Sequence, residues 1–513
     1  MRSGLWGGAP GAGARSQRRR GPGAARRAAR PGCPPERPPG HAGNPGLWRH
    51  PMKTLTTLIA WLAVWLAAPA QSVAQNPPAV PREVVVRLGP GVSAAQFAQE
   101  RGSAVLGSIV SRNAHRLSVP IGLGTDDFLS SIQDDSGVVF AELNFIAADT
   151  NPGADTRSIF VASTLGEFLE QPALDSVGAD GAQVVALGGG VIVAVIDSGI
   201  DVSHPFFARR VLLAPLDLIE PGGAAFDGPD GLDNDGDGLI DEAVGHGTIV
   251  AGIVGLMAPE AVIMPIRVLD SDGASTTFRL SAAVFAATDA GADVLNISLG
   301  TIAESQLLSE AIDEALAAEA VVIASAGNEG TDQAPSFPAA FSARGVLSVA
   351  ATRATDVVAP FSNFGSTVTL TAPGDPVVGT APGGQFGSAQ GTSFAAPLVS
   401  GAVALLRSVA PGVPSRVIRD RLLATAVNID ATNPQLAGNI GAGRVSASAA
   451  LSGAGAGLLG FADLNNDRRV NTLDLYILQS AGADIDGDGA FTSSDRAAME
   501  RFVRRFEVLG MKH

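Results

Sequence analysis

The feature that most restricts the fold is an alternation, between about residues 158 and 451, of short apolar runs and longer helix-like segments. Runs without polar alternation are expected of parallel strands that are buried on both faces. We predict strands at Val191–Ile196, Val262–Leu269, Val294–Leu299, Val321–Ala324, Val346–Ala350 and Val368–Thr371, and helices at His246–Met257, Thr277–Ala290, Glu304–Ala318 and Ser393–Val409. The pattern predicts a doubly wound α/β domain, with a mostly parallel sheet and helices on both faces, whose ligands bind beyond the carboxyl ends of the strands.

The chain has 513 residues, more than one hydrophobic core usually holds, so further domains are expected. Its formal net charge is −15, although residues 1–51 contain ten arginines and one glutamate. The remainder is therefore strongly acidic, which argues against nucleic acid as a partner.

Residues 1–51 are rich in Arg, Gly, Pro and Ala, and we interpret them as a non-structured upstream extension, with a basic nucleic-acid-binding arm as the alternative. Residues 52–74 have the parts of a signal peptide in order: Met52-Lys53, an apolar run, and Ser72-Val73-Ala74. We therefore expect a secreted protein, released or held at the cell surface. The apolar run is too short for a good membrane span, so no stable span is expected after signal removal. Cys33 is the only cysteine, so disulfides are not expected.

Residues 76–150 change to short strands with helical segments between them, in the order βαββαβ. The strands are predicted at Arg82–Leu88, Ala104–Val110, Arg116–Val119 and Val138–Ile146, and the helices at Ser93–Gln99 and Asp126–Gln133. This small α+β unit is either a separate binding module or, if a protease follows, a folding prodomain.

Ser393 stands in Gly391-Thr392-Ser393-Phe394-Ala395-Ala396-Pro397, at the start of a predicted helix. With Thr392 as the cap, free backbone N–H groups and the helix dipole would favour an oxyanion formed when Ser393 attacks a carbonyl. The serine also needs a base, and the base needs an orienting carboxylate. Of the six histidines, only His204 and His246 fall in this domain.

His246 lies between small residues at the head of a helix, whereas His204 has the features of a loop residue. Asp197 stands at the carboxyl end of the first predicted strand of the sheet, a position that turn or capping needs would also explain. Asn328 follows another buried strand in Ala326-Gly327-Asn328. Its side chain is either a turn asparagine or an amide donor to the oxyanion.

These four residues, with the flanks Asp-Ser-Gly, Gly-His-Gly-Thr, Ala-Gly-Asn and Gly-Thr-Ser-Phe-Ala-Ala-Pro, resemble the subtilisin-like serine proteases, or subtilases, over about residues 158–451. The resemblance implies that Ser393 is the nucleophile, His246 the base, Asp197 its orienting carboxylate and Asn328 an oxyanion donor. It implies protein or peptide substrates, and no catalytic metal or organic cofactor. The sequence departs from the family pattern at Ile249 and Leu398, where histidines are usual.

The resemblance also places Asn296 to Gly300 along the substrate as an edge strand, with a small, uncharged specificity pocket that prefers apolar side chains. The substrate-binding residues would be Ser298, Leu299, Gly300, Ala324, Ser325 and Ala326. Residues 76–150 resemble subtilase inhibitory propeptides, notably at Ala141–Ile146. This likeness implies self-cleavage between about Ala148 and Ser163.

An acidic loop lies between Asp197 and His246, with alternate carboxylates and a glycine for a sharp turn. These are the oxygen ligands that Ca²⁺ prefers, and we expect a structural calcium site, with a solvated acidic turn as the alternative. The ligands would be Asp233, Asp235 and Asp237, with Asp241 or Glu242 closing the site.

After a Gly/Ala linker at 452–460, residues 461–507 contain two further calcium-type loops, each followed by an apolar helical segment. This duplication resembles dockerin domains, small helical calcium-loop modules. The ligands would be Asp463, Asn465, Asp467 and Asp474 in the first loop, and Asp484, Asp486, Asp488 and Asp495 in the second. Docking onto a cohesin-like partner and simple stabilisation of the protein both remain open for this tail.

The main hypothesis is a secreted, calcium-stabilised serine endopeptidase made as a proenzyme. The rival is a catalytically silent subtilase fold that acts as a calcium-dependent docking protein. This alternative requires that a difference from the family pattern, such as Ile249, distorts the geometry of the catalytic residues. A lipase or esterase is disfavoured because Ser393 lacks the Gly-x-Ser-x-Gly elbow.

Overall fold

The computed structural model of the chain describes residues 77–149 and 159–452, apart from residues 209, 211 and 214. The extension, the signal peptide and the C-terminal module with its eight proposed calcium ligands lie outside this part of the chain. So does all of the linker except residue 452. The described residues form an N-terminal α+β unit and an α/β domain that follows it.

The N-terminal unit has the βαββαβ order expected from its sequence. Its elements are β1 (Ala79–Leu88), α1 (Ala94–Glu100), β2 (Val105–Ile109), β3 (Ala114–Ser118), α2 (Thr125–Ile132) and β4 (Val138–Asp149). The strands pair antiparallel in the order β2-β3-β1-β4. Alternate residues of β1 face opposite sides: Val84 and Val86 pack against Phe97 and Phe128 of the two helices, whereas Val85 joins the core of the α/β domain.

The α/β domain contains most of the remaining elements. Its strands are β5 (Ile159–Ser163), β6 (Ile192–Asp197), β7 (Leu216–Asp217), β8 (Val262–Arg267), β9 (Ala274–Thr276), β10 (Val294–Ile297), β11 (Leu299–Gly300), β12 (Val321–Ser325), β13 (Leu347–Thr352), β14 (Leu370–Pro373), β15 (Val377–Ala381) and β16 (Gln385–Ala389). Its helices are α3 (Leu165–Leu169), α4 (Pro172–Val177), α5 (Ala179–Gln183), α6 (His246–Met257), α7 (Thr277–Asp289), α8 (Gln306–Ala317), α9 (Thr392–Val409), α10 (Ser415–Ala424) and α11 (Ala447–Leu451).

Seven of these strands form one parallel sheet in the order β14-β13-β12-β10-β6-β8-β7. Within β6, Val193 and Val195 join the core cluster of α6 and α9, whereas Ala194 and Ile196 join the cluster of α7 and α8. Alternate side chains of β6 are therefore buried on opposite faces of the sheet. Helices cover both faces, so the predicted doubly wound architecture is confirmed. Helix α9 is long and apolar enough to cross a membrane, but 89% of it is buried inside the protein, as expected of a core helix.

The predicted strand Val294–Leu299 is wrong in one respect, because the structure divides it into β10 and β11 on either side of Ser298. Strand β10 lies inside the parallel sheet between β6 and β12, where its backbone is fully paired. Only Leu299 and Gly300 of β11 turn outward and pair with β4. The predicted edge strand from Asn296 to Gly300 is thus shortened to its last two residues.

The N-terminal unit also covers the first turns of α7 and α8, where unpaired backbone N–H groups point outward. The Glu142 carboxylate accepts hydrogen bonds from the Ser305 hydroxyl (2.8 Å) and from the backbone N–H groups of Gln306 (2.7 Å) and Leu307 (3.1 Å). Asn144 accepts one from the N–H of Phe278 at 3.3 Å. Two helices of the α/β domain are therefore capped by side chains of the preceding unit.

Candidate active site

Asp197 and His246 meet at the carboxyl end of β6. The imidazole Nδ1 of His246 lies 2.7 Å from Oδ1 of Asp197, and both side chains are buried. The same Oδ1 accepts the backbone N–H of Ser198 at 2.8 Å, so the carboxylate is held from the strand side. This contact orients the ring and leaves Nε2 as the nitrogen that can exchange a proton with a substrate-side group.

The charge on His246 is governed by the carboxylates around it. Burial alone would disfavour the imidazolium, but the Asp197 charge and hydrogen bond, with smaller contributions from Asp149 and Asp227, outweigh it and hold the pKa of His246 above its ordinary value. The site therefore stabilises a protonated imidazole, the form a general base takes during reaction.

Gly247 permits the close approach of α6 to β6. A Cβ at this position would lie 2.2 Å from the carbonyl oxygen of Gly199 and 3.0 Å from Oδ1 of Asp197. Any side chain would push the head of α6 away from the strand. The small residue after His246 is thus a condition for the Asp197–His246 hydrogen bond.

Ser393 lies in the first turn of α9, as predicted, but its helix begins one residue earlier than expected. Gly391 is the N-cap, with a φ of 148°, and Thr392 is already helical. The Ser393 hydroxyl donates to the carbonyl of Ser298 at 3.1 Å. The ring of Phe394 lies 5.0 Å from the His246 ring, so the nucleophile candidate and the base candidate are brought to the same place.

Thr392 instead orients Asn328. Oδ1 of Asn328 accepts both the backbone N–H and the hydroxyl of Thr392, each at 2.9 Å. Two donors on the oxygen identify Nδ2 as the donor side of the amide. A Cβ built on Gly391 would lie 3.5 Å from this Nδ2, so the amide is close to the N-cap of α9. The amide donor therefore lies beside the N-terminus of α9, where an oxyanion on a substrate of Ser393 would form.

A buried polar network lies behind Ser393, and the sequence did not predict it. The Ser298 hydroxyl donates to the carbonyl of Ser393 (2.9 Å) and accepts from Nδ2 of Asn296 (2.9 Å), while Oδ1 of Asn296 accepts from the Ser400 hydroxyl (2.8 Å). Asn296 thus faces the interior and ties α9 to β10, rather than lining the substrate. No local sequence signal marks this role, because it depends on contacts with Ser298 and with the distant Ser400.

A peptide strand already occupies the cleft between β9 and β11. The last four residues of β4 pair antiparallel with both: Ile146, Ala147 and Ala148 oppose β9, and Ala148 and Asp149 oppose Gly300 and Leu299. The N–H of Asp149 also donates to the carbonyl of Gly273 at 3.0 Å. Leu299 and Gly300, which were predicted on the substrate side, form a strand edge that pairs with an extended segment of this chain.

The predicted opposite wall lies at the end of β12. Ala324 and Ser325 are fully buried and Ala326 is nearly so. Ala324 lies opposite Ile297 of β10 in the parallel ladder, and Ile297 precedes Ser298. His204, the other histidine of the domain, is buried and its Nε2 lies 2.8 Å from the carbonyl oxygen of Gln385, so it belongs to the packing of β16.

The acidic loop brings three of its four predicted ligands together. Carboxylate oxygens of Asp233, Asp235 and Asp237 lie within 4.8 Å of one another, and all three residues are exposed. Asp241 is turned elsewhere, because its Oδ1 accepts the backbone N–H groups of Asp230 (2.8 Å) and Gly231 (3.1 Å). The three-carboxylate group fits the hard oxygen ligands of Ca²⁺, and Asp241 closes the loop instead.

A parallel α/β sheet with an Asp–His pair at its carboxyl edge and a serine in the first turn of a helix is the arrangement expected of a subtilisin-like serine peptidase. The subtilase family model matches residues 188–454, and the fervidolysin N-terminal prodomain model matches residues 67–144. The chain belongs to the subtilase family, and it is a serine endopeptidase with a fervidolysin-like prodomain.

Individual relatives agree with this assignment. Subtilisin DY of Bacillus licheniformis is 35% identical over 254 residues, which are 47% of this chain and 85% of that protein. Thermitase of Thermoactinomyces vulgaris is 34% identical over 258 residues, covering 48% and 85%. Among solved structures, fervidolysin from Fervidobacterium pennivorans, described as a keratinolytic enzyme related to subtilisin, superposes with a TM-score of 0.60 at 24% identity. That superposition covers 74% of this chain and 62% of fervidolysin.

Proposed function

We propose that this protein is an exported, self-processing endopeptidase that hydrolyses peptide bonds through Ser393, His246 and Asp197, with Asn328 as an oxyanion donor. The observation that carries the proposal is the buried contact between Asp197 and His246, beside the helix turn that holds Ser393. Export is supported by the signal-like segment at residues 52–74.

In the proposed reaction, Oγ of Ser393 bonds to the scissile carbonyl carbon while its proton passes to Nε2 of His246. The oxygen of that carbonyl becomes negative and is stabilised by the Asn328 amide and by backbone N–H groups at the start of α9. The proton then moves to the leaving amine as the C–N bond breaks. Water repeats the sequence on the acyl-enzyme, which releases the acid and restores Ser393.

Substrates would bind as an extended chain between β9 and β11, in the place that β4 occupies. The small residues Ala324, Ser325 and Ala326 favour an uncharged, apolar side chain in the main specificity pocket. The catalytically silent alternative loses its support, because Ile249 and Leu398 are both packed in the hydrophobic core and neither interrupts the Asp197–His246 contact.

We further propose that the proenzyme cleaves itself after Thr150. Asp149 is the last paired residue of β4, and it opposes Leu299, the residue after Ser298. The Ser298 carbonyl accepts from Oγ of Ser393 at 3.1 Å, so we propose that the bond cleaved is the one after the next residue of the sequence, Thr150. This narrows the expected interval between Ala148 and Ser163 to a single bond.

The experiment is to express the proenzyme and its Ser393→Ala variant and to determine the N-terminus of each product. The wild-type protein should yield a catalytic fragment beginning at Asn151 that hydrolyses peptides, while the variant stays joined. A different N-terminus in an active product would refute the register argument alone. A protein that neither processes itself nor hydrolyses a peptide library would refute the proposed function.

We also propose structural calcium. The loop carboxylates Asp233, Asp235 and Asp237 would hold one ion, since like charges this close repel unless a cation lies between them. The loops of residues 461–507 would hold two more, and the module would either dock onto a cohesin-like protein or stabilise the enzyme. Calcium would have no part in bond cleavage.

A further inference from the structure

Asp227 is a buried carboxylate beneath the head of α6 that has no place in the proposed chemistry. It is 1% exposed, and four donors converge on it. Oδ1 accepts from the Gly245 N–H (2.9 Å) and the Ser198 hydroxyl (3.1 Å). Oδ2 accepts from the N–H (2.9 Å) and the hydroxyl (2.5 Å) of Thr248.

Burial raises the pKa of the Asp227 carboxyl, but the hydrogen bonds donated to it favour its ionised form. The Ser198 hydroxyl already accepts the Gly247 N–H at 2.9 Å, and the Thr248 hydroxyl accepts the Asp201 N–H at 2.9 Å. Each hydroxyl therefore has its proton left to donate to Asp227. Two backbone N–H groups and two hydroxyl protons therefore point at the carboxylate, an arrangement that suits a negative charge.

This network joins the two residues of the Asp–His pair from behind. Ser198 follows Asp197 and donates its N–H to the Asp197 carboxylate, while its hydroxyl bridges the Gly247 N–H to Asp227. Gly245 and Thr248 flank His246 on α6 and are both bonded to Asp227. The first-turn N–H groups of α6 are thereby satisfied by a negative charge, as the helix dipole favours.

We propose that Asp227 is a positioning residue: it fixes the head of α6 so that Nδ1 of His246 faces Asp197, and it supplies a second buried negative charge that favours the imidazolium formed during acyl transfer. The inference rests on the proposed role of His246. The charged groups that raise the pKa of His246 are Asp197 on β6, Asp149 on β4 and Asp227 itself, and Asp149 leaves with the prodomain. In the mature enzyme, Asp197 and Asp227 remain.

The test compares three variants of the mature enzyme. Asp227→Asn keeps the size but removes the charge, and Ser198→Ala removes the bridging hydroxyl but keeps the charge. Asp217→Asn is the control for losing a buried carboxylate elsewhere, because Asp217 is 4% exposed, accepts two backbone N–H groups at β7 and pairs with Arg267 at 3.3 Å. Wild-type enzyme is first titrated with a fluorophosphonate, and failure of that labelling would count against the proposed function rather than against Asp227.

In Asp227→Asn, kcat should fall about tenfold or more with KM changed less than about twofold, because geometry at the reacting groups is lost while the substrate strands are intact. The acid limb of the kcat/KM profile should move about half a pH unit lower, since the imidazolium loses a neighbouring charge. Ser198→Ala should lower kcat without moving that limb. If Asp227→Asn folds and matches Asp217→Asn in kcat and in pH profile, the proposal is wrong. If Asp227→Asn does not fold, an unchanged kcat in Ser198→Ala refutes it.

Discussion

Nδ1 of His246 and Oδ1 of Asp197 lie 2.7 Å apart although the two residues are 49 positions apart in the chain. The contact exists because β6 ends at Asp197 and α6 begins at His246, so both side chains emerge at the carboxyl edge of the sheet. Gly247 lets the two elements touch, and Asp227 holds the helix head from below. The contact between Asp197 and His246 is thus set by where β6 ends and α6 begins in the fold.

Asp197→Asn should leave the fold intact and abolish most activity. An amide at this position would donate rather than accept, so His246 would be held in the tautomer that cannot take the Ser393 proton. We expect kcat to fall by about 10⁴-fold, the size established for the corresponding change in another serine protease. KM and the melting temperature should change little. A loss of less than about tenfold would mean that Asp197 does not orient the base.

The prodomain should influence the protonation of His246 through Asp149. Activity requires neutral His246, so a raised pKa means that the base becomes available only as pH rises through that higher value. NMR titration of His246 in mature Ser393→Ala protein should give a higher pKa with wild-type prodomain than with Asp149→Asn prodomain, since burial is the same in both complexes. Prodomain carrying Asp127→Asn, an exposed position, is the control. If the pKa of His246 is the same with wild-type and with Asp149→Asn prodomain, Asp149 does not raise it.

Asn328→Leu should slow turnover about a hundredfold or more without a comparable change in KM, because the amide donates to charge that develops only in the transition state. The magnitude is the one established for the loss of an oxyanion amide in a subtilisin. Asn428→Ala, at an exposed site, should behave as wild type. A variant that loses substrate binding but keeps its turnover number would assign Asn328 to substrate recognition.

Glu142→Ala should weaken inhibition of the mature enzyme by isolated prodomain. The change removes three hydrogen bonds to the N-terminal region of α8, two of them to backbone N–H groups at the helix start. Hydrogen bonds to charged groups contribute about 1.5–3 kcal/mol each at most, so an increase of tenfold to a hundredfold in the inhibition constant is expected. Glu100→Gln, in an exposed glutamate of the same unit, should leave the inhibition constant unchanged.

Removal of calcium should lower the melting temperature of the catalytic domain. Asp233→Asn/Asp235→Asn/Asp237→Asn protein should lose most of that response to a chelator, because the ion stabilises only the form that binds it. The Asp420→Asn variant, which loses an exposed helix carboxylate, should keep the full response to the chelator. A chelator effect of equal size in the triple variant would place the relevant ion elsewhere.

Much of the fold and site was predictable from sequence because their signals are local. Strands such as Ile192–Asp197 are continuous apolar runs, and Asp197, His246, Asn328 and Ser393 stand at element ends, where the chain carries small residues and glycine. The hairpin of β15 and β16 was not predicted, although Pro382-Gly383-Gly384 between two β-forming runs marks a turn.

The remaining features depend on contacts between distant segments. Asp227 lies in an ordinary acidic stretch, and its role follows only from its contacts with Ser198, Gly245 and Thr248. Asn296 has the pattern of a substrate strand, yet β10 lies inside the sheet with the Asn296 amide bonded to Ser298 and Ser400. The pairing of β4 with two strands of the cleft likewise has no local pattern.

The most direct test of the account is fluorophosphonate labelling of the mature enzyme, followed by mass spectrometry of the modified peptide. The account predicts one labelled residue, Ser393, with labelling lost in Ser393→Ala and strongly slowed in His246→Ala. Ser366→Ala, at an exposed position of the same domain, should still be labelled at Ser393. Absence of label on Ser393 in correctly folded protein freed of its prodomain would contradict the central claim.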